Sequence, residues 1–166
     1  MTPEQLVLDL PDLGTSDPNN MPEVLVYVIH WNAPEWCVRT VRSFRASQHL
    51  RTRLTIIDNG GLSEDALAKL QGTEIISTGA NIGYTGGANR AFEAWRTTSS
   101  PVAVIACHDV ELHEEALSLL VQAVACVRRS SRTVRRAPVG AAYFPLVVTV
   151  AEAVRPGVPS ALLISI

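Results

Sequence analysis

The chain has 166 residues, 47% of them hydrophobic, and a formal net charge of −2. That length supports one domain with a real core and excludes two ordinary ones. A near-neutral balance excludes the strongly basic surface of a dedicated nucleic-acid binder. Cys37, Cys107 and Cys126 stand far apart with no C-x-x-C pair, which fits reduced cytosolic thiols better than a disulfide framework. The N-terminus, M-T-P-E-Q-L-V-L-D-L-P-D-L, lacks the basic-then-apolar layout of a signal peptide. No apolar run reaches the roughly 20 residues that span a bilayer. The expectation is a soluble cytoplasmic protein with no transmembrane segment.

Residues 1–22 carry four prolines and the turn cluster S-D-P-N-N. They read as an extended lead-in with a short edge strand around Leu6–Leu10. Val24–Trp31 is β-branched and almost wholly apolar, the pattern of a strand covered on both faces in a parallel sheet. Pro34 then suits a first helical turn. Val38, Val41 and Phe44 give that helix an inward face, and Arg39, Arg42 and Arg45 point outward. Arg53–Ile57 is a second strand. Ser63 is the expected N-cap of a short helix through Leu70, with Glu64 and Asp65 complementing the dipole. Glu74–Ser77 is a third strand, and a helix with Ala91, Ala94 and Trp95 on its buried stripe is predicted from about Gly87 to Thr97. Val102–Ala106 is a fourth strand, followed by an amphipathic helix over His113–Val127. Strands alternating with helices predict an α/β fold, a mostly parallel sheet with helices on both faces and right-handed crossovers.

In an open parallel sheet, ligands bind beyond the carboxyl ends of the strands, near the point where strand order reverses. The four predicted strands end in Asn32, in Asp58-Asn59, in Thr78 to Asn81, and in His108-Asp109. Each thus presents a hydrogen-bonding residue at one end of the sheet, and two present a carboxylate. Between the third strand and the next helix runs N-I-G-Y-T-G-G-A-N, Asn81 to Asn89. Its glycines let backbone turn tightly and approach a ligand, and a helix N-terminus there suits an anion. The plain alternative is a simple strand-to-helix connection.

Strand alternation puts Cys107 and Asp109 on one side and His108 on the other, so three adjacent residues do not make a metal site. Cys107 reads as a small buried apolar residue and His108 as a packed or solvent-facing imidazole. Asp109 alone still suits a divalent cation whose shell is completed by phosphate oxygens and water. Other motifs fail. His113-Glu114 has Leu117 where a zinc-protease helix needs its second histidine. Gly83, Gly86 and Gly87 follow neither the dinucleotide nor the Walker spacing, and there is no G-x-S-x-G. Trp31, Trp36 and Trp95 read as core or interface residues.

Taken in order, these motifs resemble a known family. An apolar strand ending in W-N, then I-I-D-N-G-G, then N-I-G-Y-T-G-G-A-N-R, then a strand ending in H-D-V is similar to the N-terminal half of family 2 glycosyltransferases, rhamnosyltransferase-like branch. The likeness covers Val24 to Val127. It implies the Rossmann-like, nucleotide-sugar-binding half of a GT-A fold. Asn32, Asp58 and the adjoining Asn59 match positions around the base and ribose of the donor. Asn81, Gly83, Gly87 and Asn89 match the glycine-rich motif that closes over the nucleotide. Asp109 matches the last acid of the D-x-D-like motif, which binds a Mg2+ or Mn2+ ion bridging the donor diphosphate. The implied ligand is a nucleoside-diphosphate sugar, a UDP- or dTDP-sugar, with the acceptor unspecified.

The chain departs from the family in two places. Cys107 stands where that motif often has Asp or Asn, and no later acid serves as general base. Past Val127, Arg128, Arg129, Arg132, Arg135 and Arg136 crowd together, and Glu152 is the one acid among residues 128–166. The organisation expected is thus a lead-in over 1–22, a nucleotide-sugar-binding domain over 23–127 and a basic, atypical tail over 128–166. In that tail Val139–Val150 reads as a strand, and P-G-V-P-S-A-L-L-I-S-I offers no closing element. The expectation is a truncated glycosyltransferase, with its tail out of register with an ancestral frame and little transfer by this chain alone. The arginine cluster reads as a solvated segment, with a patch for a partner or a membrane surface as the alternative. A non-catalytic nucleotide- or partner-binding module is the second hypothesis, and a dinucleotide or methyl-donor site the weakest.

Overall fold

The computed structural model describes residues 23–98, 100, 102–121, 151–155 and 158–165. The expected edge strand at Leu6–Leu10, the strand at Val139–Val150, the arginine cluster and Cys126 lie outside the described residues. The elements in order are β1 (Glu23–His30), α1 (Pro34–Arg45), β2 (Arg51–Asp58), α2 (Glu64–Lys69), β3 (Glu74–Ser77), α3 (Gly83–Arg96), β4 (Val102–Cys107), β5 (Ala151–Arg155) and β6 (Val158–Ser165). Residues 116–121 are also helical, the described part of the helix expected over His113–Val127.

These form one six-stranded sheet in the order β3-β2-β1-β4-β6-β5. All neighbours are parallel except β5, which runs antiparallel to β6. The expected α/β architecture is therefore present, and it extends further than the motifs do. Residues 158–165, for which the sequence pattern offered no closing element, lie beside β4 as β6. That pairing is non-local, and strand periodicity within one short segment does not reveal it.

Alternation along β1 divides the core. Val24, Val26 and Val28 face one side, where they meet Val38, Val41 and Phe44 of α1, Ala66 of α2, and Leu117. Leu25, Tyr27 and Ile29 face the other, against Ala91 and Trp95 of α3. Helices thus cover both faces, and β1 is buried along nearly its whole length. Burying each such aliphatic side chain contributes about 1.5–3 kcal/mol. The face changes where the chain changes direction: α1 and α2 carry it outward through β2 and β3, and α3 brings it back across the opposite face to β4. Right-handed crossovers require that switch.

Local signals explain most boundaries. Pro34 occupies the first turn of α1. The Ser63 hydroxyl accepts the Ala66 N–H at 3.2 Å, as the cap of α2, a contact that contributes about 1 kcal/mol. Of the boundaries that differ from expectation, two matter most here. β1 ends at His30, one residue early, and leaves Trp31 more than half exposed. α3 begins at Gly83 and not near Gly87, so most of the glycine-rich stretch is helix and not loop. Glycine disfavours a helix interior by about 1 kcal/mol relative to alanine, which is why the pattern reads as a loop. Contacts from outside the helix offset that here.

Candidate functional site

The chain leaves β1 toward β2 and β3 and returns on the other side to β4, so strand order reverses between β1 and β4. The crevice beyond their carboxyl ends is where this fold binds ligands. The segments following β1, β2, β3 and β4 meet around it, and they carry the residues singled out from the sequence.

Asp58, the last residue of β2, is the register partner of His30, the last residue of β1. Their side chains meet at 2.9 Å, His30 Nδ1 to Asp58 Oδ1. His30 is fully buried and Asp58 is 15% exposed. The other ring nitrogen, Nε2, accepts the Ala33 N–H at 3.2 Å. An imidazole nitrogen that accepts carries no proton, so Nδ1 holds it and donates to the carboxylate. The Gly60 N–H also donates to Oδ1, at 2.8 Å. Asp58 is thereby held by two donors on one oxygen, and no described residue hydrogen-bonds Oδ2. Sequence reasoning missed His30 because it ends an apolar run. Its signal was a single polar residue closing that run, opposite the acid that closes the next strand.

Asn59 is almost completely buried. Its Nδ2 donates to the Gly83 carbonyl at 3.2 Å, its Oδ1 accepts the Thr78 hydroxyl at 3.2 Å, and its backbone N–H donates to the His30 carbonyl at 2.9 Å. One side chain thus ties the ends of β2 and β3 to the start of α3. Asn81 is exposed, and its Oδ1 accepts the Gly83 N–H at 2.9 Å, satisfying a donor of the first turn. Gly83 adopts a φ of +72°, which favours glycine. Gly87 is buried, and a Cβ there would lie 2.8 Å from Ile29 Cγ2. Its lack of a side chain lets α3 sit directly on β1. Asn89 is exposed on the body of α3, two turns in from its start.

On the β4 side, Asn32 is exposed, with a φ of +50° that asparagine tolerates. Its N–H donates to the Gly60 carbonyl at 2.9 Å, joining the segments after β1 and β2. His108 is packed: Nδ1 donates to the Ile29 carbonyl at 3.2 Å, and its ring meets that of His30 edge-on, centroids 5.6 Å apart. The Thr40 hydroxyl of α1 donates to the His108 carbonyl at 2.5 Å, and Arg39 pairs with Glu111. These bonds hold the turn that carries Asp109, which is itself exposed. Because β4 stops at Cys107 and residues 108–109 form a turn, strand alternation does not extend to Asp109. Burial, and next the Asp109 carboxylate, push the Cys107 thiol up.

Among the described residues, no three His, Cys, Asp or Glu side chains gather as a metal cage. A cation at Asp109 would take that carboxylate and draw most of its other ligands from diphosphate oxygens and water, which suits Mg2+. That chemistry fits a metal that would arrive with a diphosphate. A separate groove of about 270 Å³ opens between α1 and α2, lined by Pro34, Val38, Arg39, Arg42, Asp65 and Lys69 among others. It contains none of the residues singled out at the strand ends. Of the three tryptophans, Trp95 is core, whereas Trp31 and Trp36 are exposed near the crevice. No helix among the described residues is long and apolar enough to cross a membrane. Comparison of the sequence with protein-family models and with curated proteins gives no match.

Proposed function

We propose that the chain is a nucleoside-diphosphate-binding module of the family 2 glycosyltransferase type, working in the cytoplasm on a UDP- or dTDP-sugar. One observation carries the reading: the order-reversing strands β1 and β4 and their neighbour β2 bring Asn32, Asp58 and Asp109 to one end of a parallel sheet. Asp58, with Oδ1 engaged by two donors and Oδ2 bonded by no described residue, can accept hydroxyl donors such as those of a ribose. Asp109, two strands away and about 10 Å across the sheet, stands where the diphosphate of a nucleotide anchored at Asp58 would reach. A Mg2+ or Mn2+ ion held there would offset charge on a departing diphosphate. In a complete enzyme of this type the sugar passes to an acceptor hydroxyl that a base deprotonates.

Titration calorimetry of the purified chain with UDP and dTDP, with and without Mn2+, tests the reading. Binding that strengthens with Mn2+ is the expected result. No binding of either nucleotide under both conditions would refute it. The exposed Trp31 and Trp36 beside the crevice favour a second reading, a non-catalytic module whose partner is a protein. That reading gains if neither nucleotide binds.

A further inference from the structure

His30 is a tightly constrained polar group at the end of β1. It is fully buried, both ring nitrogens are engaged, and its neighbours are spoken for: His108 donates elsewhere, to the Ile29 carbonyl. Nothing in an apolar parallel strand requires a histidine at its last position. A buried polar side chain costs free energy unless its hydrogen bonds are made, and here they are made to two particular groups. One is the Ala33 N–H, just before α1. The other is Asp58 Oδ1.

We propose that His30 is a positioning residue for Asp58, donating from Nδ1 to Oδ1 so that Oδ2 is the oxygen offered to a bound nucleotide. The proposal rests on the nucleotide-binding reading of Asp58. Its physical basis is the fixed tautomer. The Ala33 N–H ends on Nε2, so Nδ1–H is the form that the fold holds, and that proton can go only to Asp58. The Gly60 N–H converges on the same oxygen. Two donors on Oδ1 leave the carboxylate one orientation, as a rigid acceptor site requires.

Two amide substitutions separate this role from simple packing. Asparagine places an amide nitrogen near the position of Nδ1, and glutamine places a carbonyl oxygen near that of Nε2. His30→Asn therefore keeps the donor to Asp58 and loses the acceptor for Ala33. His30→Gln does the opposite. With UDP or dTDP as the probe, H30N is expected to bind within about twofold of the unaltered chain and H30Q about tenfold more weakly, the effect of one lost hydrogen bond to a charged group. Equal weakening in both, or greater weakening in H30N, would overturn the proposal.

Imidazole 15N spectra of the unaltered chain give a readout that needs no nucleotide and no variant of His30. They are expected to show His30 as the Nδ1–H tautomer, with a slowly exchanging Nδ1 proton whose resonance moves upfield in Asp58→Asn. An Nε2–H tautomer at His30 would overturn the proposal whatever the binding data show. If neither nucleotide binds while the Nδ1–H signature and its response to D58N are present, the nucleotide reading fails and the orientation of Asp58 by His30 stands.

Discussion

Asn59 and Gly83 are joined by a 3.2 Å hydrogen bond from a buried side-chain amide to the carbonyl of the first residue of α3. The bond links the second strand to the glycine-rich stretch, the two motifs on which the proposed nucleotide site rests. It also shows how the site is assembled: with its amide committed to Gly83 and Thr78, Asn59 joins the ends of β2 and β3 to the start of α3.

Asn59→Ala should therefore act on stability first. It removes the amide donor to the Gly83 carbonyl, whereas the Thr78 hydroxyl keeps the Asp58 and Ala80 carbonyls as acceptors, and a cost of about 1–2 kcal/mol is expected. Asn59→Asp should cost more, because a carboxylate cannot donate to the Gly83 carbonyl. Urea denaturation followed by circular dichroism measures both. Variants as stable as the unaltered chain would show that the buried network contributes little.

Gly87 gives a second test, of close packing and not of ligand approach. An added Cβ would lie 2.8 Å from Ile29 Cγ2, on a branched side chain in the buried strand β1. Relieving such an overlap costs about 1–3 kcal/mol, and alanine recovers about 1 kcal/mol of helix propensity. Gly87→Ala should lose about 1 kcal/mol net in thermal unfolding. A stabilised variant would mean that α3 can move away from β1 at no cost.

Much of this architecture was legible in the residues, and the reasons it was not in places are physical. Val38, Val41 and Phe44 are buried as their spacing predicts, Glu74–Ser77 is a strand with the predicted limits, and Ser63 caps its helix. Those features depend on neighbours a few positions away. The start of α3 does not: glycine reads as a helix breaker, and the side chain that ties its first residue to the sheet belongs to Asn59, 24 residues earlier. His30 was hidden for the same reason, since its partner is 28 positions along the chain. Trp31 and Trp36, which the sequence places in the core or at an interface, are both exposed and not core. Asp58, Asn32 and Asp109 could be placed at one end of the sheet because strand ends in a parallel sheet fall together. Which oxygen of Asp58 remains open required coordinates.

Cys37 makes stability depend on pH. Burial, and next the Asp58 carboxylate, push its thiol from the usual 9.0 up to about 12. A group whose pKa is raised on folding adds stability below its unfolded value and loses it as pH climbs through the folded one. The melting temperature should therefore fall as pH rises from about 9 toward 12, and Cys37→Ala should flatten that fall. Tyr27, also raised by burial, from 10.0, acts in an overlapping window, so Tyr27→Phe should flatten it too. At pH 8 the folded chain should protect Cys37 from thiol reagents. Rapid labelling at that pH would contradict the placement of the thiol in the core.

Asp58 and Asp109 are predicted to fail in different ways, and the difference is the sharpest test of the proposed site. Asp58 would act on the nucleoside, so Asp58→Asn should weaken UDP or dTDP binding about tenfold with or without Mn2+. Asp109 would act through the cation. Asp109→Ala should leave metal-free binding within about twofold and remove the gain that Mn2+ confers, because among the described residues no cluster of three ligand side chains stands ready to hold the ion without it. Because Asp109 is exposed, its loss should change folding stability by no more than about 0.5 kcal/mol, so the binding readout is free of a folding artefact. Full retention of the Mn2+ effect in the Asp109 variant would mean that the cation travels with the nucleotide and touches the protein elsewhere. Loss of metal-free binding in the same variant would place Asp109 against the nucleotide itself.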